Sequence, residues 1–238
     1  MRKRAASVGI EKLNPMEALL AALSDDLALP FLQIKSCLEA NAPREQIFMS
    51  IDSGLQLIEA YKLTLRINKS IDEVAYEPVA IGAVLQEIAH ELSPYAKKYA
   101  TDIEVNVSGK LTPVLTHQPS LQTAIQILSA SLIRAQVAQV QKKRYKIILG
   151  AHRTSEASIS TGVFSSIDGL SDKTLRNARS LTGKARQPIT ALPTGAASGV
   201  LIADMLCSSM WQPLRAAAHG GMHGLATIIP VSKQLQFV

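Results

Sequence analysis

Little in this sequence could brace a fold from outside its own core. Its 238 residues include two cysteines, Cys37 and Cys207, far apart and in apolar surroundings. That excludes a disulfide framework or a thiolate metal cluster, and both read as buried free thiols. Aromatics make up 4% of the chain, with one tryptophan, while apolar residues reach 47%. A core of Ala, Leu, Ile and Val favours helices with some sheet and excludes a wholly disordered chain. No uninterrupted apolar run approaches the ~18–20 residues of a membrane span. The basic start Met1-Arg2-Lys3-Arg4 leads into Gly9, Glu11, Lys12 and Asn14 instead of an apolar stretch, so it is no secretory signal. The expectation is a soluble, cytoplasmic protein without membrane contact.

Negative charge is also missing over a long stretch, because no carboxylate occurs between Glu104 and Glu156. Residues 1–72 hold nine Lys/Arg and nine Asp/Glu, whereas 73–238 hold sixteen and ten and carry the whole net charge of +6. A basic surface can serve phosphate or nucleic acid, and it can equally be a solvated face. The scarcity of stacking aromatics and the lack of a groove-reading helix signature argue against nucleic acid.

From Pro15 to Leu38, Leu19, Leu20, Leu23, Leu27, Phe31, Ile34 and Leu38 recur at helical spacing, interrupted by Pro30, which predicts a kink. The connection Asn41-Ala42-Pro43-Arg44 leads to a second pattern through Ile47, Ile51, Leu55, Ile58, Tyr61 and Leu65. Such a helical hairpin cannot cover both apolar stripes alone, so a homodimeric four-helix bundle is expected. After Asp72 the character changes. Helices are predicted over Ile81–Ala100, Leu121–Val140 and Gly199–Met210, with Leu121, Ile125, Leu128 and Leu132 facing inward. Strands are predicted around Ile103–Val107, Val114–Thr116, Tyr145–Gly150, Ala157–Phe164 and Gly224–Val231. A polar stretch from Ser165 to Thr194 separates them from the last helix. Helices on an antiparallel sheet make an α+β sandwich. The organisation is a basic tail over 1–13, a dimerisation hairpin over 14–72 and a sandwich domain over 73–238.

This order of parts resembles the core of sensor histidine kinases. The kink segment Ser24-Asp25-Asp26-Leu27-Ala28-Leu29-Pro30-Phe31 is similar to that family's phosphoacceptor box, Ser-His-(Glu/Asp)-Leu-Arg-Thr-Pro-Leu, with Ser24, Asp26, Leu27 and Pro30 matching in order. Glu77 to Ala96 resembles the first helix of the family's ATP-binding domain, Leu121 to Ala135 its asparagine-bearing helix, and Gly221 to Pro230 its closing Gly-strand-Pro signature. The resemblance implies a GHKL-type ATPase fold behind the hairpin.

The residues that would carry the chemistry depart from the family's pattern. The phosphoacceptor position holds Asp25, and none of the histidines (His90, His117, His152, His219, His223) falls in that box. A neutral imidazole is the nucleophile this transfer needs. Ser131 stands where the family has its magnesium-binding asparagine, and the helix otherwise offers only Gln122, Gln126 and Gln136 as oxygen ligands. The adenine-binding Asp-x-Gly-x-Gly turn corresponds to Ser165-Ser166-Ile167-Asp168-Gly169-Leu170, so Ser165 replaces the carboxylate and Gly169 persists, with Asp168 a substitute if the register slips. The second glycine motif corresponds to Gly195-Ala196-Ala197-Ser198-Gly199-Val200, keeping Gly195 and Gly199 before a helix, which is also an ordinary loop-to-helix junction. Lys173, Arg176, Arg179, Lys184 and Arg186 occupy the place of the family's ATP lid, and Lys142, Lys143, Arg144 and Lys146 form a further basic cluster.

The resemblance with these departures implies a catalytically degenerate homologue, a pseudokinase that acts as scaffold or regulator. No metal and no cofactor are expected, although ATP or ADP remains conceivable as a structural ligand. Partners would be a second copy of the chain and a response-regulator receiver domain or another kinase, docking through Leu29, Phe31, Leu32 and Lys35. Two alternatives stand beside it: an atypical nucleotide-binding kinase or ATPase using Asp168, Gly195 and Gly199, and a basic nucleic-acid-binding regulator.

Overall fold

The computed structural model describes residues 75–138, 144–155, 157–166, 170–181 and 197–232, preceded by 24, 27–28, 31–32, 34–44, 47–48, 50–51, 54–55, 58 and 62. The expected basic tail, the kink at Pro30, and Leu19, Leu20, Leu23, Tyr61 and Leu65 lie outside them.

In the N-terminal part the described residues are helical up to Glu39 and again from Arg44 to Lys62. The first helical run ends in a Schellman motif: Ala42 N–H donates to Cys37 O at 2.8 Å and Asn41 N–H to Leu38 O at 3.2 Å. Asn41 takes the left-handed conformation this requires, with φ 47°, and Pro43 follows where a helix cannot continue. Within the single chain the apolar stripes are covered only in part. Leu27, Ile34, Ile47 and Ile58 are half-buried and Ser50 and Gly54 are buried, whereas Phe31, Leu38, Phe48, Ile51 and Leu55 are exposed. The small side chains at 50 and 54 set the buried line of the second helical run, which turns Ile51 and Leu55 away from it. Cys37, expected buried, is half-buried, while Cys207 is buried.

From Glu77 onward the order is β1 (Glu77–Val79), α1 (Ile81–Lys98), β2 (Thr101–Ser108), β3 (Val114–Thr116), α2 (Gln118–Ala138), β4 (Tyr145–Ser155), β5 (Ser158–Ser165), α3 (Asp172–Leu181), α4 (Ala197–Ser209), β6 (Arg215–His219) and β7 (Met222–Pro230). α1 buries Ile81, Val84, Leu85, Ile88, Leu92 and Ala96, steps of three and four that keep one stripe on the core. Each such Ile or Leu contributes about 1.5–3 kcal/mol of transfer free energy. α2 is apolar on most of its circumference: Leu121, Ala124, Ile125, Leu128, Leu132, Ile133 and Ala135 are all buried. It packs against α1, α4 and the sheet together. Near its start His117 Nδ1 pairs with Ser120 Oγ at 2.6 Å.

The main sheet has the order β2-β4-β5-β7-β6. The antiparallel sheet expected from sequence is corrected to a mixed one, because β2 runs parallel to β4, with Ile103 opposite Ile147 and Val107 opposite Ala151. A parallel neighbour needs a crossover, and α2 supplies it. The β4–β5 hairpin is present as expected, and β7 begins two residues earlier than the strand predicted there. The strand period of two splits β4 between two layers. Ile147, Leu149 and Ala151 join the helical core. Ile148 joins Phe164 and Ala226 in a small cluster on the opposite face, flanked by Ala217 and Met222. β1 and β3 form a separate two-stranded sheet.

Candidate functional site

α4 follows the segment that holds Gly195, and its third residue, Gly199, faces α2. A Cβ added to Gly199 would lie 1.7 Å from Ser131 Oγ, 2.6 Å from Ser131 Cβ and 3.3 Å from the Ile127 carbonyl. The two helices therefore touch at the two positions aligned with the family's glycine motif and its metal ligand, and the fully buried Ser131 side chain occupies the space that a residue larger than glycine would need.

Ser131 is also the end of a polar chain. Arg134 Nη2 donates to Ser131 Oγ at 3.3 Å, and Arg134 Nη1 to the Tyr95 hydroxyl at 3.4 Å. Burial pushes the Tyr95 phenol up to about 12, so it stays neutral and accepts from the guanidinium. Tyr95 in turn packs on Tyr99, ring centroids 4.9 Å apart. Magnesium needs several hard oxygen ligands in near-octahedral array. Here it would meet one hydroxyl that already accepts from a cation. Gln126 Nε2 donates to Glu91 and Gln136 Nε2 to the Lys146 carbonyl, while Gln136 Oε1 is buried without a hydrogen-bond partner. The side chains at this point do not fit a divalent cation, and among the described residues no three His, Cys, Asp or Glu side chains cluster as metal ligands.

The lid region contains a true helix, α3, which is fastened down. Arg179 Nε donates to Asp204 Oδ2 at 2.6 Å and Nη2 to Asp204 Oδ1 at 2.5 Å, a bidentate pair. Arg179 Nη2 also donates to Leu214 O at 2.7 Å, and Leu214 N–H donates to Asp204 Oδ1 at 3.1 Å. At the helix start Asp172 Oδ1 accepts from Ala216 N–H at 2.9 Å. The bonds to Asp204 hold the Arg179 guanidinium above its ordinary pKa. Of the lid cations, then, Arg179 is a structural bridge from α3 to α4 and to Leu214 just before β6, while Lys173 and Arg176 are exposed. Lys184 and Arg186 lie outside the described residues.

The other candidate residues are scattered or beyond description. Ser165 is buried at the end of β5, opposite Ile147 and His223. Asp168, Gly169, Gly195, Asp25 and Leu29 lie outside the described residues. Phe31 and Leu32 are 63% and 61% exposed, and Lys35 forms an exposed i,i+4 pair with Glu39 at 3.8 Å. Thus Ser131 and Gly199 are brought together. Arg134 and Tyr95 were missed in the sequence, although Arg134 stands one helical turn from Ser131 and so on its face.

No protein-family model matches the sequence, and no curated protein sequence does. Solved structures do match. Full-length ShkA, in complex with AMPPNP, superposes with a TM-score of 0.52 at 15% identity over 92% of this chain and 46% of that one. Histidine kinase ThkA, in complex with the response regulator protein TrrA, gives 0.54 at 11% identity over 90% and 61%. The Acinetobacter baumannii histidine kinase AdeS gives 0.50 at 12% identity over 87% and 97%. The chain spans about half the length of ShkA and nearly all of the AdeS chain.

Proposed function

We propose that this chain, whose fold is that of a histidine-kinase core, is a catalytically degenerate signalling protein acting by protein contact, as scaffold or regulator in a two-component-type pathway. One observation carries the reading: Ser131 packs into the Cα of Gly199 and accepts from Arg134, so protein atoms and a fixed positive charge stand where the resemblance expects nucleotide-bound magnesium. The sequence adds Asp25 at the phosphoacceptor position, where a carboxylate accepts a phosphoryl group only with a bound divalent cation and a different cradle. A pseudokinase of this kind needs neither metal nor cofactor.

ThkA in its complex with a response regulator suggests the class of partner, a receiver domain. Phe31, Leu32 and Lys35 present exposed apolar and cationic groups for it, with Leu29 beside them in sequence. Phe48, Ile51 and Leu55 form a second uncovered apolar line, which a second copy of the chain would bury in a four-helix bundle over 14–72. No helix among the described residues is long and apolar enough to cross a membrane, consistent with a cytoplasmic role.

The test is calorimetry of the purified chain with ATP and ADP, with and without magnesium. The expected result is no heat of binding at millimolar nucleotide. Magnesium-dependent binding would overturn the proposal and favour the atypical ATPase.

A further inference from the structure

The open face of the main sheet carries an arrangement unconnected with the nucleotide motifs. The β6–β7 hairpin turns through Gly220 and Gly221, with φ 57° and 77°, a two-residue turn of the kind that glycine favours. Its tip folds back over the sheet. A Cβ on Gly220 would come 3.3 Å from Ile148 Cδ1, and one on Gly150 would come 2.7 Å from the His219 ring and 2.8 Å from Phe164. His219 thus lies on bare backbone at Gly150 and is 8% exposed, with Phe164 beneath it fully buried.

Two contacts hold the tip there. His219 Nε2 lies 3.1 Å from Asn106 Oδ1 on β2, and His219 Nδ1 lies 3.1 Å from His152 Nδ1 on β4. The imidazole planes are within 20° of each other and the centroids 5.2 Å apart. With the facing nitrogens so close and the centroids so far, the rings meet edge to edge, each Nδ1 aimed at the other. Asn106 Oδ1 can only accept, so His219 carries its proton on Nε2 and its Nδ1 is bare. The bond between the rings is then His152 Nδ1–H donating to His219 Nδ1.

We propose that the His152–His219 pair is a proton-operated latch that holds the β6–β7 tip over Ile148 and Phe164 and releases it in mild acid. A first proton on the pair is harmless, because one Nδ1–H still lies between the two rings. A second has to enter at His219 Nδ1, where it sets two N–H groups against each other across 3.1 Å and places two cations together. Burial, and then the charge of His152, accordingly hold His219 below the ordinary histidine range, against a weaker raising effect of Asn106.

The other ionisable groups on this face do not compensate. By strand parity, Asp102 and Glu104 of β2 and Lys146 of β4 share it, and Glu104 is taken by Lys146 at 2.5 Å. β5 presents Phe164, Gly162 and Ser160 there, none ionisable; Arg215 is at the far end of β6, and His223 of β7, paired with Ser165, belongs to the opposite face. The sign follows from linkage: the tip prefers neutral His219, so closure is complete above the ordinary histidine pKa and is lost as pH falls from there through the lowered one. Between those two values the opening constant rises by up to tenfold per pH unit, and below the lowered one it levels off.

Hydrogen exchange of the full chain between pH 7.5 and pH 5, corrected for intrinsic rates, tests this. In the unsubstituted protein, amides 217–224 should lose protection severalfold more than those of β4 and β5. His152→Gln should reduce that extra loss, and His223→Gln should leave it unchanged. Asn106→Asp, which places a carboxylate against Nε2 and lets the closed tip carry the imidazolium, should shrink the extra loss. Equal loss in the unsubstituted protein and His152→Gln, no selective loss at the tip, or an extra loss undiminished by Asn106→Asp would each overturn the latch.

Discussion

Replacing Trp211 with glycine should make the protein more stable, against the usual direction of a large-to-small substitution. Trp211 sits just past α4 in a Schellman motif: Gln212 N–H donates to Cys207 O at 2.9 Å and Trp211 N–H to Ser208 O at 2.9 Å. That position demands the left-handed conformation, and Trp211 has φ 61°. The left-handed region costs a residue with a Cβ about 1–2 kcal/mol, and helices that end this way usually do so with glycine. The side chain returns little, being 83% exposed. Glycine gives back about 0.5 kcal/mol through its freer unfolded chain. The net gain is about 1 kcal/mol, a rise in melting temperature of about 2–4 °C for a domain of this size. Far-ultraviolet circular dichroism is the assay, with Trp211→Ala as the control that removes the indole and keeps the strain. A fall in stability of ~1 kcal/mol or more in Trp211→Gly, matched by Trp211→Ala, would refute the reasoning and show that the indole has a contact of its own.

Gly199→Ala forces a Cβ into Ser131 and should cost about 1–3 kcal/mol by overpacking. Adding Ser131→Gly should recover most of that loss in a urea-melt double-mutant cycle, and simple additivity would contradict the direct contact. Asp204→Ala leaves a half-buried guanidinium and the Leu214 N–H without their acceptor. It should cost about 2–4 kcal/mol by urea denaturation, with Asp204→Asn milder because an oxygen remains for Leu214. Phe48→Asp with Leu55→Asp should convert a dimer into a monomer in sedimentation velocity while leaving the melt of the sandwich domain unchanged. A dimer that persists would remove the second copy from the account of those exposed residues.

The parts of the fold legible in the sequence are those specified locally. The stripe from Ile81 to Ala96 and the buried series on α2 have the helical period written into them, and Tyr145–Gly150 with Ala157–Phe164 reads as neighbouring strands. β6 escaped notice because Arg215-Ala-Ala-Ala-His219 has no β-branched or aromatic residue to mark a strand; its partner β7 and the Gly220-Gly221 turn make it one. The parallel pairing of β2 with β4 is a long-range choice that no local pattern encodes. At the candidate site, Ser131 and Gly199 could be named by motif, but their contact spans 68 positions of sequence. The same holds for His152, His219 and Asn106, which are ordinary polar residues until the hairpin tip brings them together.

The parallel strand also bears on the order of assembly. β4, β5, β7 and β6 are joined antiparallel, and two of those three pairings are hairpins closed by short turns. β2 gains its neighbour only after the chain has run through β3 and α2, a loop whose closure entropy is lost before any pairing is recovered. Strand β2 should therefore be a late addition in folding and an early departure in unfolding. A φ-value near zero at Val105 beside an intermediate one at Val163 would express that order. An edge strand that docks last leaves β4 briefly unpaired along its inner length, and a chain caught at that stage presents Ile147, Ile148 and Leu149 as an open template for another molecule's strand.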